Sequence, residues 1–444
     1  VPQSAPTAHG PSLSPGSPGP RPVYALDALV DMTAHTAVVS ARVTVQPPAA
    51  GELVFNMNAL QTAGIVQWAE IRVADQLVTP RIDTVWLSVP IGPATAEPLT
   101  VSFAYTLTLP EIESTAWGWR GTLGWSEHQI NLGDWYPTLA VYAAETGWVT
   151  PSTSDLGEYQ TTPASDFHVQ LRLTGPPPAP PILGSGGRRP CGSAHCFELS
   201  GGRFVAYVIG RGMELASLVT AAGTPVTAAY LPEHPAAGQA ALRAAAGALE
   251  IFARVYGPYP YPAYSLVEGD FYDGMEYSGL SFVGASYFED FDGGVQNWLT
   301  LIAVHETAHQ WWYSLVGNDP AAEPWLDEAL ATYSELVYLE AAYPDDSAWW
   351  WRFRVEYFQP TGAVDQALYA FTGFRPYVDT VYLRGAQMLH AMRQTVGDER
   401  FFEALRRYLD ARRYALATAA DFWQAYQAVG GDPAAIQARF FADP

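Results

Sequence analysis

The sequence predicts a multidomain α and β protein, with an N-terminal antiparallel β-sandwich or saddle domain followed by a mainly α domain. Three observations predict it. The chain has 444 residues, more than one ordinary core serves. Hydrophobic residues make up 49% and aromatic residues 13%, enough to fill two cores and too many for a disordered chain. The spacing of apolar residues changes from a period of two to a helical period between about residues 215 and 235.

Each part is justified in chain order. Residues 1–22, rich in Pro, Ser and Gly, read as a flexible linker. Residues 23–213 read as the β domain. Segments such as TAVVSARVTVQ, ELVFNMN, DTVWLSVPI, PLTVSFAYTLTL and DFHVQLRLTG alternate apolar and polar residues, are rich in β-branched side chains, and are separated by Pro, Gly or Asn. Residues 175–190 read as a loop or hairpin tip. Residues 214–444 read as the second domain. AAGQAALRAAAGALEIFARVYG is a helix ended by Gly257, residues 263–283 return to short strands, and helices are expected at about 294–316, 324–342, 346–358, 380–396, 398–415 and 418–429. Pro324 suits a first helical turn and Gly317 a stop.

Charge and cysteine usage exclude several function classes. The net charge is −22 and all 23 basic residues are Arg. Binding to a nucleic-acid duplex needs a basic face, so nucleic acid is excluded as a partner. The apolar stretch 236–254 carries Arg243, Glu250 and Arg254, so it reads as a soluble helix and no membrane span is expected. Cys191 and Cys196 stand with four residues between them in GRRPCGSAHCFEL. With His195 they offer only three ligands, short of a structural zinc site, so a disulfide is the preferred reading and two inert thiols the alternative. A disulfide and a Pro/Ser/Gly-rich stalk together suggest an exported protein, whether extracellular, periplasmic or surface-anchored.

The string AVHETAHQWW carries the chemistry. His305 and His309, four apart on a helix, lie on one face and can bind one zinc ion with Zn–N near 2.1 Å. Glu306 projects beside the metal and can take a proton from water. The flanks WLTLIAV and WW make the helix buried, and a buried His-Glu-His face needs a reason. In EPWLDEALATYSE, Glu328 lies 19 positions beyond His309, where a helix–turn–helix can supply a third ligand. Two His, one Glu and an open fourth position make a catalytic zinc pattern with one ion. Glu335, seven positions beyond Glu328, either hydrogen-bonds a zinc histidine or is a solvated helix residue.

These strings resemble the aminopeptidase N family of zinc peptidases, a branch of the gluzincins. Further strings agree, in the family's order: VYGPYPYPAYSLVE (255–268), DGMEYSGL (273–280) beside the family's GxMEN motif, and VYLRGAQML (381–389) beside its Tyr-x-Lys-Gly-Ala motif. Tyr277 stands where many members have Asn, and Arg384 where they have Lys. The resemblance spans about 205–395 strongly and the β domain by layout only. It implies that 214–444 is a thermolysin-like catalytic domain, that Tyr382 donates a hydrogen bond to the oxyanion, and that Glu276 binds the free α-ammonium of a peptide substrate. Gly274 would let the substrate backbone approach, Met275 and Tyr277 would help shape the first subsite, and strand GMEYS could pair with the peptide. The family's second amine ligand precedes a Pro-Cys-x-Asp-Glu-Pro stretch that is absent here. The nearest counterpart is SEHQINLGDWYP (126–137), where Glu127 or Gln129 could serve, while Asp134 and Trp135 read as ordinary β-domain residues.

From Val255 to Trp351 there is no basic residue and there are sixteen acids, among them Glu268, Asp270, Asp273, Glu276, Glu289, Asp290 and Asp292. A negative cleft would attract zinc and free amino termini; the bland alternative is a solubilising acidic surface. The expected function is a zinc-dependent aminopeptidase with Glu306 as general base, acting on peptides with a free N-terminus. A compact, open form accepting longer peptides is expected, and a monomer is favoured. Two rivals stand beside it: an endopeptidase or mixed-specificity zinc peptidase, and a non-catalytic peptide-binding module on a peptidase fold.

Overall fold

Period-two alternation builds the first half of the chain. In the computed structural model, which describes residues 20–92, 97–113 and 119–442, strands Val23–Asp31 and Thr36–Val45 bury every second side chain. Residues 1–19 of the expected linker lie outside the described residues. The long strands join in one eight-stranded sheet, and two four-stranded sheets pack against it. One core, with Leu26, Val39, Phe55, Leu87, Phe103, Ile130, Val169 and Tyr207, takes side chains from all three sheets. This is the expected saddle or sandwich with one difference. Strands Val23–Asp31 and Ser165–Thr174 pair in parallel, not antiparallel. A long excursion separates them in sequence, so no hairpin dictates their direction.

A five-stranded sheet opens the second half, in the order Glu214–Val219, Pro225–Tyr230, Tyr264–Gly269, Leu280–Gly284, Gly274–Tyr277. Gly274–Tyr277 lies at its edge, antiparallel to Leu280–Gly284. The Ala-rich helix Pro235–Val255 packs on this sheet and on the helix Trp298–Ala308, its small side chains permitting close approach. The helix Trp325–Ala342 follows, with Pro324 as its N-cap.

Several helix bounds differ from expectation. The expected 294–316 helix ends at Ala308, because the chain turns at His309 and Tyr313 adopts φ +102° before Trp312 and Val316 bridge. The expected 346–358 helix is split into short helical turns of different pitch, including the π-type turn Trp351–Val355. Tyr382 stands on another π-type turn, Val378–Arg384, which leads into the helix Gly385–Val396. A helix Pro433–Phe440, not anticipated, closes the described chain. No helix among the described residues is long and apolar enough to cross a membrane. A disulfide joins Cys191, in the loop before the strand His195–Gly202, to Cys196 within that strand.

Candidate metal centre and peptide cleft

The helix Trp298–Ala308 is apolar all round and buried all round, so its polar residues face the interior. Its Asn297 cap accepts from Thr300 N–H at 2.9 Å, fixing the start. His305 and His309 therefore project together, ring centroids 4.8 Å apart, toward Glu328 on the next helix. The Glu328 Oε2 atom lies 3.2 Å from His305 Nε2 and 3.7 Å from His309 Nε2. Three ligands about 2.1 Å from a common centre at tetrahedral angles stand about 3.4 Å apart, so this trio fits a zinc-sized ion.

The remaining nitrogens support the same reading. His305 Nδ1 meets Glu335 Oε1 at 3.0 Å, and His309 Nδ1 meets Asp327 Oδ1 at 2.7 Å. Each imidazole thus turns its Nε2 inward and is oriented from behind by a carboxylate, the usual support of a metal-bound histidine. Glu335 is fully buried, not the solvated residue the sequence left open, and also accepts from Trp350 Nε1 at 2.8 Å and Arg354 Nε at 3.0 Å. Arg354 supplies the positive charge that this buried carboxylate needs.

The electrostatics favour cations in the cage. Burial alone would lower the His305 pKa, but Glu328 and Glu335 outweigh it and hold it at about 10. Burial likewise opposes a charged His309, and Asp327 and Glu328 lift it to about 9. Burial pushes Glu328 up, yet the hydrogen bond from His305 and the charge on both imidazoles keep its carboxyl below the usual range. What favours imidazolium here favours a divalent ion equally.

Glu306 is buried, with Oε2 left without a partner, and burial raises its pKa to about 8. It is also close to Glu276. Ligand atoms of Glu276, Glu306 and His309 all fall within 4.8 Å of one another. The strand Gly274–Tyr277 passes directly over Glu306, and a Cβ on Gly274 would stand 2.1 Å from Glu306 Oε1. Glycine is required there by close approach. Tyr382 stacks parallel to the His305 ring at 5.9 Å. Its phenol is held protonated, above the ordinary value, by burial and by Glu328.

These residues line one cleft of about 700 Å³ between the two halves. Gly274, Met275, Glu276, Tyr277, His305, Glu306, His309, Glu328 and Tyr382 all reach it. Glu127 and Gln129 do not. Glu127 is exposed, and Gln129 is buried with its amide donating to Glu268 O at 3.1 Å. Among the β-domain carboxylates that do reach the cleft is Glu158, from a loop with no periodicity to betray it. Burial raises its pKa to about 8, with Glu328 adding to the effect. Glu276 is raised well above the carboxylate range by burial and then by Glu158 and Glu306, and its Oε1 lacks a partner. Of the expected acidic cleft residues, Asp273, Glu276 and Asp290 line it. Glu268 and Asp270 instead bind His234 and His128, at 2.7 and 3.0 Å. Glu289 and Asp292 face solvent. Asp134, expected as an ordinary β-domain residue, lies in the cleft wall, while Trp135 is core.

Residues 240–438 match the model of the peptidase family M1 domain. The second half of the chain is thus similar to an M1 peptidase domain. Aminopeptidase M1-A of Oryza sativa subsp. japonica is 26% identical over 250 residues, which are 52% of this chain and 28% of that protein. Aminopeptidase N of Lactococcus lactis subsp. lactis is 27% identical over 194 residues, 39% of this chain and 22% of that protein. The match thus spans about a quarter of the length of these M1 relatives. The crystal structure of an M1 zinc metallopeptidase from Deinococcus radiodurans superposes with a TM-score of 0.66 at 18% identity, covering 95% of this chain and 93% of that one. At that identity the likeness shows the fold, including the joining of the β domain to the M1 domain.

Proposed function

We propose that the chain is a zinc-dependent aminopeptidase that removes N-terminal residues from peptides. One observation carries the reading. Two carboxylates with no ion pair among the described residues, Glu276 and Glu158, line the same cleft as a histidine–histidine–glutamate trio. Buried carboxylates that repel one another are satisfied by a positive group, and a peptide's α-ammonium is one. Anchoring that ammonium at a fixed distance from the trio limits cleavage to the first peptide bond.

His305, His309 and Glu328 would hold the zinc ion, which when bound acidifies water and polarises a carbonyl. Glu306 takes the proton of the attacking water and passes it to the leaving amine, its raised pKa keeping both transfers accessible near neutrality. Tyr382 donates its hydroxyl hydrogen to the oxygen on which negative charge develops. The edge strand Gly274–Tyr277 offers backbone groups to an extended substrate, and Gly274 clears the path. The Cys191–Cys196 disulfide supports an exported setting, which fractionation of the producing cells would check.

The test compares a peptide amide bearing a free N-terminus with its N-acetylated twin, before and after chelation and zinc restoration. The expected result is zinc-dependent release of the first residue, with the acetylated twin slower by about 100-fold or more. Equal rates would replace this reading with an endopeptidase.

A further inference from the structure

The proposed amine anchors are each followed by a tyrosine, and both tyrosines lead to the same residue. Tyr277, after Glu276, donates its hydroxyl to Asp134 Oδ2 at 3.0 Å. Tyr159, after Glu158, donates to Asn58, whose amide nitrogen lies 3.5 Å from Asp134 Oδ1. Asp134 thus sits midway along a hydrogen-bonded arc on the cleft wall that joins the two anchors. Asp134 lines the same cleft as both anchors.

Local sequence places Asp134 there. Asp134 adopts φ +50°, a conformation that Asp tolerates better than most residues. Gly133 before it leaves room for the Tyr277 ring, since a Cβ would lie 2.3 Å from the Tyr277 hydroxyl. The carboxylate is half-buried, and its donors, Tyr277, Asn58 and Thr122, are all neutral. No ion pair to Asp134 occurs among the described residues. In the same cleft lining, Phe204 and Tyr313 stack 5.9 Å apart and 6° from parallel, an apolar surface suited to a long aliphatic stem.

We propose that Asp134 determines specificity by selecting arginine and lysine as the N-terminal side chain. The selection rests on the aminopeptidase reading and deepens it. The stem lies along Phe204 and Tyr313, and the cationic head meets Asp134 in a charge-assisted hydrogen bond.

The experiment uses neutral isosteres, so the wild-type protein alone gives the first answer. Rates are measured for lysyl against norleucyl amides and arginyl against citrullyl amides, then repeated with Asp134→Asn. In the wild type, kcat/KM for each cationic substrate exceeds its isostere by about tenfold or more, the scale of one charge-assisted hydrogen bond. In Asp134→Asn, which can still accept from Tyr277, the ratios fall toward one. Wild-type ratios near one overturn the inference and leave the aminopeptidase reading intact. High ratios that persist in Asp134→Asn overturn the assignment to Asp134. No turnover of any free-amine substrate overturns the aminopeptidase reading and this inference together. Should Asp134→Asn fail to fold, a wild-type crystal soaked with L-arginine decides: a guanidinium at Asp134 supports the inference, and one seated elsewhere overturns it.

Discussion

His309 depends on a neighbour that its own helix does not supply. Its Nδ1 is held by Asp327, the residue immediately before the candidate ligand Glu328, so one turn of helix delivers both a candidate ligand and the support of another. We expect Asp327→Asn to weaken zinc affinity about 10- to 100-fold, read by competition with a chromophoric chelator. Glu306→Gln should behave oppositely. Zinc stays bound, measured by elemental analysis, while turnover falls about 10²- to 10⁴-fold. The candidate ligands and Glu306 were legible from helical spacing, and Glu276 and Tyr382 from the resemblance of their strings to family motifs. Asp327, Glu158 and Asp134 were not. The roles proposed for them rest on contacts across the fold, and a single acid outside a motif looks like any other acid.

Elements show the same division between local and distant causes. The strands of the first half and the long helices Pro235–Val255 and Trp325–Ala342 follow from periodicity and capping residues. The early stop at Ala308 and the π-type turn under Tyr382 do not, because tertiary packing imposes them on sequences that would extend an α-helix. One contact between elements has a pH signature. The Glu323 carboxylate accepts from Ala419 N–H at 3.1 Å, at the N-terminus of the helix Ala419–Gln427, and so fastens the start of the Glu328 helix to it. Burial lifts its pKa to about 7, above the unfolded value, with Asp319 and Asp421 adding to the rise. The folded state therefore binds this proton more tightly than the unfolded one, and its contribution to stability falls as pH rises toward and through about 7. We expect Glu323→Gln to reduce the loss of melting temperature between acidic and mildly alkaline buffer, followed by circular dichroism.

Across the whole molecule, Arg203 is one of the fastenings between halves. It is buried, and among the described residues no carboxylate pairs with it. Its guanidinium instead donates to Thr162 O at 2.7 Å, Tyr313 O at 2.8 Å and Ala415 O at 2.6 Å. Those carbonyls belong to the first half of the chain, the turn after the helix Trp298–Ala308 and the connection between the helices Asp398–Arg412 and Ala419–Gln427. Gly317 makes room for it, since a Cβ there would lie 2.5 Å from Arg203 Cζ. We expect Arg203→Met to destabilise the protein by about 3 kcal/mol in denaturant unfolding, from three carbonyls losing a charged donor. KM should rise too, because Tyr313, which Arg203 secures, faces the cleft.

That fastening bears on how such a protein can diversify. Glu158, Asp134 and Arg203 all come from the front half, so neither a solitary back half nor a chimera carrying a foreign front would inherit a working peptide seat. Gene shuffling at the seam should yield inactive offspring unless both partners travel together.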